Sequence, residues 1–200
     1  MNLPDHLGGH MNKVHTDRGC LIHMRDKYNC KTMIDIGCGP GWQSLLAYEL
    51  GYKDVYGIDG DWNVLPKSDK HVKFLCHDFT KGLVPLINSD HYYEVSGEII
   101  NHDLGWTVEF LEHVEEQYQE NYMKTLQTCK YVIMTHAVPG QDGHHHVNCQ
   151  ESDYWIDVFN QYEFDYLPEL TNEIREVSTM QKPFIKRTGM VFMNRGNDDV

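Results

Sequence analysis

The sequence has no Cys-x-x-Cys pair, no cluster of Lys and Arg, and no apolar run near the roughly 20 residues that a membrane helix needs. The six cysteines (Cys20, Cys30, Cys38, Cys76, Cys129 and Cys149) keep no regular spacing, and several fall in strand- or helix-like stretches where a thiol acts as a small apolar residue. This usage argues against a disulfide scaffold and for a reduced, cytoplasmic chain. Residues Met1 to His6 contain neither a basic segment nor an apolar stretch, so no signal peptide is expected. Lys and Arg number 17 against 30 Asp and Glu, a net charge of −13 with neutral histidines. Such a field repels polyanions, and the nearest approach to a basic patch, Lys182, Lys186 and Arg187, is sparse. A small molecule is the expected partner, rather than nucleic acid or a membrane.

What is present suits one domain. Hydrophobic residues make up 40% and charged residues 24% of 200, enough for one substantial core but cramped for two. Residues 1–31 are polar and rich in glycine and histidine, with a weak helical pattern from Gly19 to Tyr28. They read as an N-terminal lid or helical segment, the stretch from Gly8 to Asp17 above all, ahead of a main domain over 32–200. From Thr32 the rhythm changes. Short apolar runs predict strands at Thr32–Ile36, Asp54–Ile58, Val72–Cys76, Leu104–Phe110, Tyr131–Thr135, Phe164–Tyr166 and Met190–Asn194. Helices are expected at Trp42–Leu50, Gln117–Cys129, Ser152–Gln161 (Ser152 as N-cap) and Glu169–Val177, and a small hairpin at Tyr92–Ile100. Strands alternating with helices predict a mostly parallel α/β sheet with helices on both faces.

The first strand runs into Asp35-Ile36-Gly37-Cys38-Gly39-Pro40-Gly41, and the second ends about 20 residues later at Asp59. Ligands of open α/β sheets bind at the carboxyl ends of the strands, and a carboxylate after the second strand suits the two hydroxyls of an adenosine ribose. A dinucleotide loop needs a third small residue where this chain has Trp42, and the phosphate-loop pattern is absent. Asp35 is unfavourable beside a pyrophosphate but favourable toward the ammonium of a methionine moiety. The loop therefore favours S-adenosylmethionine over a nicotinamide cofactor.

Asp35-x-Gly37-x-Gly39-x-Gly41 resembles motif I of the class I S-adenosylmethionine-dependent methyltransferases. Asp59, followed by Gly60, resembles their ribose-binding acid, with Trp62 as a candidate cover for the adenine. His77-Asp78-Phe79 resembles the third-strand segment that flanks the adenine, and Trp106-Thr107-Val108-Glu109-Phe110-Leu111-Glu112-His113-Val114 the fourth-strand segment common in small-molecule methyltransferases. The resemblance spans about residues 32 to 135. It implies a Rossmann-like seven-stranded, mostly parallel sheet with an antiparallel last strand. It also implies S-adenosylmethionine bound by Asp35, Gly37, Cys38, Gly39, Gly41, Asp59, Gly60, Trp62, His77, Asp78, Phe79 and Glu109. Surface acids leading into the next helix are the alternative for Glu109 and Glu112, and for Glu112 the two readings weigh equally.

Methyl transfer to oxygen or nitrogen calls for a base near the acceptor, and histidine has the suitable pKa. Of the 13 histidines, those at strand ends are the candidates: His113, His136 and, in the Gly143-to-Asn148 loop, His145 between His144 and His146. That loop resembles a GHxN-like stretch of several small-molecule methyltransferases. Three consecutive histidines do not converge easily on one tetrahedral ion, so no metal is expected, although Asp142, His144 and His146 could form a partial site. The alternative is a module that binds S-adenosylmethionine without catalysis and acts through a partner; a nicotinamide-dependent oxidoreductase stands third. Tyr92, Tyr93 and Tyr154 are candidate interface aromatics.

Overall fold

A computed structural model describes residues 3–9, 13–66, 69–84 and 101–197. The strands are β1 (Thr32–Ile36), β2 (Lys53–Asp59), β3 (Val72–Cys76), β4 (His102–Thr107), β5 (Cys129–Met134), β6 (Phe164–Tyr166) and β7 (Met190–Asn194). They form one sheet in the order β3-β2-β1-β4-β5-β7-β6. The first five pair in parallel, while β7 runs antiparallel to both β5 and β6. The expected mostly parallel sheet with an antiparallel last strand is what the chain adopts. The hairpin expected at Tyr92–Ile100, and Tyr92 and Tyr93 with it, lie outside the described residues.

Side chains on a strand alternate between faces, and both faces here are apolar. Ile34, Val132 and Phe192 enter one core with Tyr122, Trp155 and Phe159 from helices α3 (Gln119–Leu126) and α4 (Ser152–Gln161). Their chain neighbours Met33, Ile133 and Val191 enter the other. There they meet Leu21 of α1 (Arg18–Lys27), Ala47 of α2 (Trp42–Glu49), Ile174 of α5 (Pro168–Val177) and Ile185 of α6 (Phe184–Thr188). Asp17 fastens the second layer. Fully buried, it caps α1 by accepting from the Cys20 N–H at 3.0 Å, and it also accepts from the Thr179 N–H and the Ser178 hydroxyl beyond α5. Helix α1 thus belongs to the packed body.

Among the boundaries that differ from the sequence reading, three have a local cause. Strand β4 stops at Thr107 because Glu109 takes a left-handed φ of 58° and Leu111–His113 coils into a 3-10 turn. The helix expected to reach Cys129 ends at Leu126, since Cys129 opens β5 and pairs with His102. Ser152 is the first helical residue rather than the N-cap, and its hydroxyl lies 3.1 Å from His136 Nε2.

β1 lies between β2 and β4, so the chain winds to one side through β2 and β3 and then crosses to the other. That reversal opens a crevice at the carboxyl ends of β1 and β4, where a ligand can sit against backbone from both sides.

Candidate active site

A cavity of about 300 Å³ occupies that crevice. Its floor is the loop after β1. The N–H groups of Gly37 and Cys38 both donate to the Ile58 carbonyl of β2, at 2.8 and 3.0 Å, which draws the loop across the end of the neighbouring strand. Gly41 then starts α2 at φ 78°, and a Cβ there would lie 2.4 Å from the Phe74 ring. Only glycine meets both demands.

The carboxylates around the floor differ in environment. Asp35 is buried and accepts from the Ser44 hydroxyl at 2.7 Å; burial pushes its carboxyl up to about 7 against that bond. Asp59 accepts from the Gly39 N–H at 2.8 Å and from the Asp61 N–H at 2.8 Å, so β2's terminal acid is locked to the glycine loop. Asp78 caps a 3-10 turn at Phe79–Lys81 by accepting from the Thr80 N–H, and its second oxygen lies 2.9 Å from His6 Nε2. Burial opposes the charge on Asp78, but the bonds from His6 and Thr80 outweigh it and hold its pKa low. His6 belongs to a strap, residues 6–9, that lines the cavity; a Cβ on Gly60 would meet Leu7 of this strap at 2.5 Å.

The other wall follows β4. Glu109 N–H donates to Thr135 Oγ1 at 2.8 Å, and burial raises the pKa of its carboxyl. Burial also raises Glu112, which has no exposed surface, with the charge of Glu109 adding to the shift. His113 is pushed down to about 4 by burial and then by repulsion from His146. Its ring lies 5.0 Å, centroid to centroid, from that of His146. The N–H groups of Val147 and Asn148 both donate to the Glu112 carbonyl, at 2.9 and 3.1 Å, and so stitch the histidine loop to the turn after β4.

No family model matches the sequence, and no curated protein sequence matches it. Solved structures do. The methyltransferase domain of the bacterial protein CtHen1-C matches with a TM-score of 0.55 and 17% identity over 88% of this chain and 95% of that one. Magnesium protoporphyrin IX methyltransferase (ChlM) of Synechocystis PCC 6803, a structure with bound SAH, gives 0.56 and 12% over 86% and 78%. The fold is that of the class I methyltransferases. The cyclase SpnF also carries it, with a TM-score of 0.53 and 13% identity over 82% of this chain and 75% of that one. A methyltransferase fold therefore leaves the activity to be argued from the site.

Within the methyltransferase fold, most residues singled out in the sequence converge. Asp35, Gly37, Cys38, Gly39, Asp59, Gly60, His77, Asp78, Phe79, Glu109 and His113 all line the cavity. Four residues stand elsewhere. Gly41 shapes the loop from behind, against Phe74. Trp62 is 63% exposed and off the cavity, because Asp61 turns inward to accept from the Asn63 N–H and leaves the next side chain to solvent. His136 is 1% exposed, bonded to Ser152 below the cavity wall, and does not line it. His145 takes a left-handed φ of 48° between His144 and His146, both of which line the cavity while it does not. Sequence reasoning passed over His6, Leu7 and Phe184 among the cavity residues, and left the buried Glu112 beside it as a possible surface acid. A carboxylate three residues after Glu109 on a tight turn was the available signal for Glu112.

Proposed function

We propose that this chain is an S-adenosylmethionine-dependent methyltransferase acting on a small-molecule oxygen or nitrogen acceptor. The observation that carries the reading is the meeting of Asp35, the Gly37–Gly39 backbone, Asp59 and the His77–Phe79 segment around one cavity at the switch point of the sheet. The donor set fits the cofactor end to end. In this reading Asp59 holds the ribose hydroxyls, Asp35 the methionine ammonium, and Asp78 with Phe79 the adenine. When bound, the cofactor supplies an electrophilic methyl group and its own leaving group.

The chain's share is positioning and proton handling. Of the three histidines named from the sequence, His113 is the one that lines the cavity, and it takes the acceptor-side role. Glu109, with its raised pKa on the same wall, is placed to hold or accept a proton. The strap of residues 6–9, tied down through His6 and Asp78, shields the site from water. The net charge of −13 favours a neutral or cationic acceptor over a nucleic acid. Free thiols at all six cysteines suit the reducing cytoplasm. No helix among the described residues is long and apolar enough to cross a membrane.

Thermal melts with S-adenosylmethionine, S-adenosylhomocysteine or NAD decide the cofactor. Ligand at a hundredfold its Kd adds about 2.7 kcal/mol of stability. A shift with the two sulfur compounds and none with NAD is expected; no shift with either at millimolar concentration overturns the assignment. Binding without methyl transfer to any member of a broad acceptor panel would instead establish a non-catalytic binding module.

A further inference from the structure

We infer that Glu112, His113 and His146 form a binding site for one divalent first-row transition cation at the edge of the cavity. One potential ligand atom from each residue lies within 4.8 Å of the others. Two nitrogens and a carboxylate oxygen suit zinc, manganese or ferrous iron better than magnesium or calcium.

Glu112 supplies an independent reason. It has no exposed surface, and among the described residues neither carboxylate oxygen has a hydrogen-bond partner. A buried carboxyl group without a partner is unfavourable whether it is charged or neutral, and a cation between it and the two imidazoles would give it one.

The histidines are oriented as ligands. Nδ1 of His113 lies 2.8 Å from the His144 carbonyl, and Nδ1 of His146 lies 3.0 Å from the Gln141 carbonyl. A carbonyl only accepts, so each Nδ1 carries the proton and each Nε2 keeps its lone pair. Metal-binding histidines are commonly fixed by such a bond from the other ring nitrogen.

Backbone geometry holds the three together. The Val147 and Asn148 bonds to the Glu112 carbonyl bring the loop over the turn. Gly143 leaves room for the His146 ring, which a Cβ would meet at 2.1 Å. His113 and His146 both line the cavity, so three protein ligands leave a coordination position on its open side, as in catalytic rather than structural sites. Cation binding does not depend on the cofactor reading.

The test is calorimetric titration of the untagged full chain, stripped with chelator, with Zn²⁺ and separately Mn²⁺, alongside Glu112→Gln, His146→Ala and His144→Ala. One ion per chain is expected for the parent and for His144→Ala. Affinity should fall by about a hundredfold or more in Glu112→Gln and His146→Ala. Binding of S-adenosylhomocysteine to the metal-free variants, within about threefold of the parent, reports the cofactor site separately. Melting temperatures in chelator exclude misfolding, and the near-isosteric Glu112→Gln keeps the test open should His146→Ala fold poorly. No stoichiometric binding of either ion, or equal affinity in the parent and Glu112→Gln, overturns the site.

Discussion

Ser44 Oγ donates to Asp35 Oδ2 across 2.7 Å, yet burial still lifts that carboxyl to about 7, with the charge of Asp59 adding to the shift. An unfolded chain releases this proton near the ordinary 3.8. Between roughly 4 and 7 the folded protein therefore binds more protons than the unfolded one, and stability from this group is lost as pH rises through that window. Asp35→Asn should flatten the decline of melting temperature of the cofactor-free protein over that range. It should also weaken S-adenosylmethionine by at least about tenfold, as expected for losing a charge-assisted hydrogen bond. Melts at matched ionic strength from pH 4.5 to 8 read the first effect; an unchanged slope would mean that another group titrates.

Gly41→Ala is expected to destabilise the fold through the end of α2. A left-handed φ costs an L-residue about 1 kcal/mol, and the new Cβ runs into the Phe74 ring, for about 2–4 kcal/mol together. Urea midpoints give the number. Pairing the change with Phe74→Leu should recover part of the loss, and strictly additive effects would show that the ring is not the obstacle.

His136→Ala separates position from chemistry. The side chain is buried against Ser152 and off the cavity, so its removal should cost roughly 1–3 kcal/mol of stability. Affinity for S-adenosylhomocysteine should stay within about twofold. A large loss of affinity with unaltered melting would return His136 to the site.

The strap is tested through its tie to β3. Replacing His6 by Ala removes the 2.9 Å contact with Asp78, and the strap should open to protease earlier than the body of the protein. Cofactor binding should weaken by about fivefold to tenfold, chiefly through faster dissociation. Stopped-flow displacement of a fluorescent ligand measures the rate; identical off-rates would remove the strap from the site.

The parts of the site that were legible in the sequence are those whose geometry is local. Asp35, the glycines and Asp59 lie on one strand–loop–helix–strand unit, so their spacing carries their arrangement. The joining of Glu112 to His146 was not legible, because backbone bonds from Val147 and Asn148 make it, and a carbonyl leaves no mark on composition. His136 reads like an active-site residue because it follows a strand end, and only the placement of Ser152 beyond the intervening loop shows where its ring points. The partnership of His6 with Asp78 spans 72 positions and depends on where residues 6–9 run along the cavity. The β4 boundary failed for a related reason: the left-handed turn at Glu109 interrupts an apolar run that has strand character throughout.

The anchoring of Asp17 also governs the order of assembly. Its partner Ser178 follows 161 positions later, so helix α1 leaves the ribosome long before the residue that anchors its capping carboxylate exists. At roughly 5–20 residues per second the gap lasts on the order of 8 to 30 seconds. Throughout that interval the face of α1 that packs on α5 has no α5 to cover it. The nascent protein should accordingly be a chaperone client until its last strand emerges, and truncation just short of Ser178 should yield an aggregating chain rather than a smaller folded one.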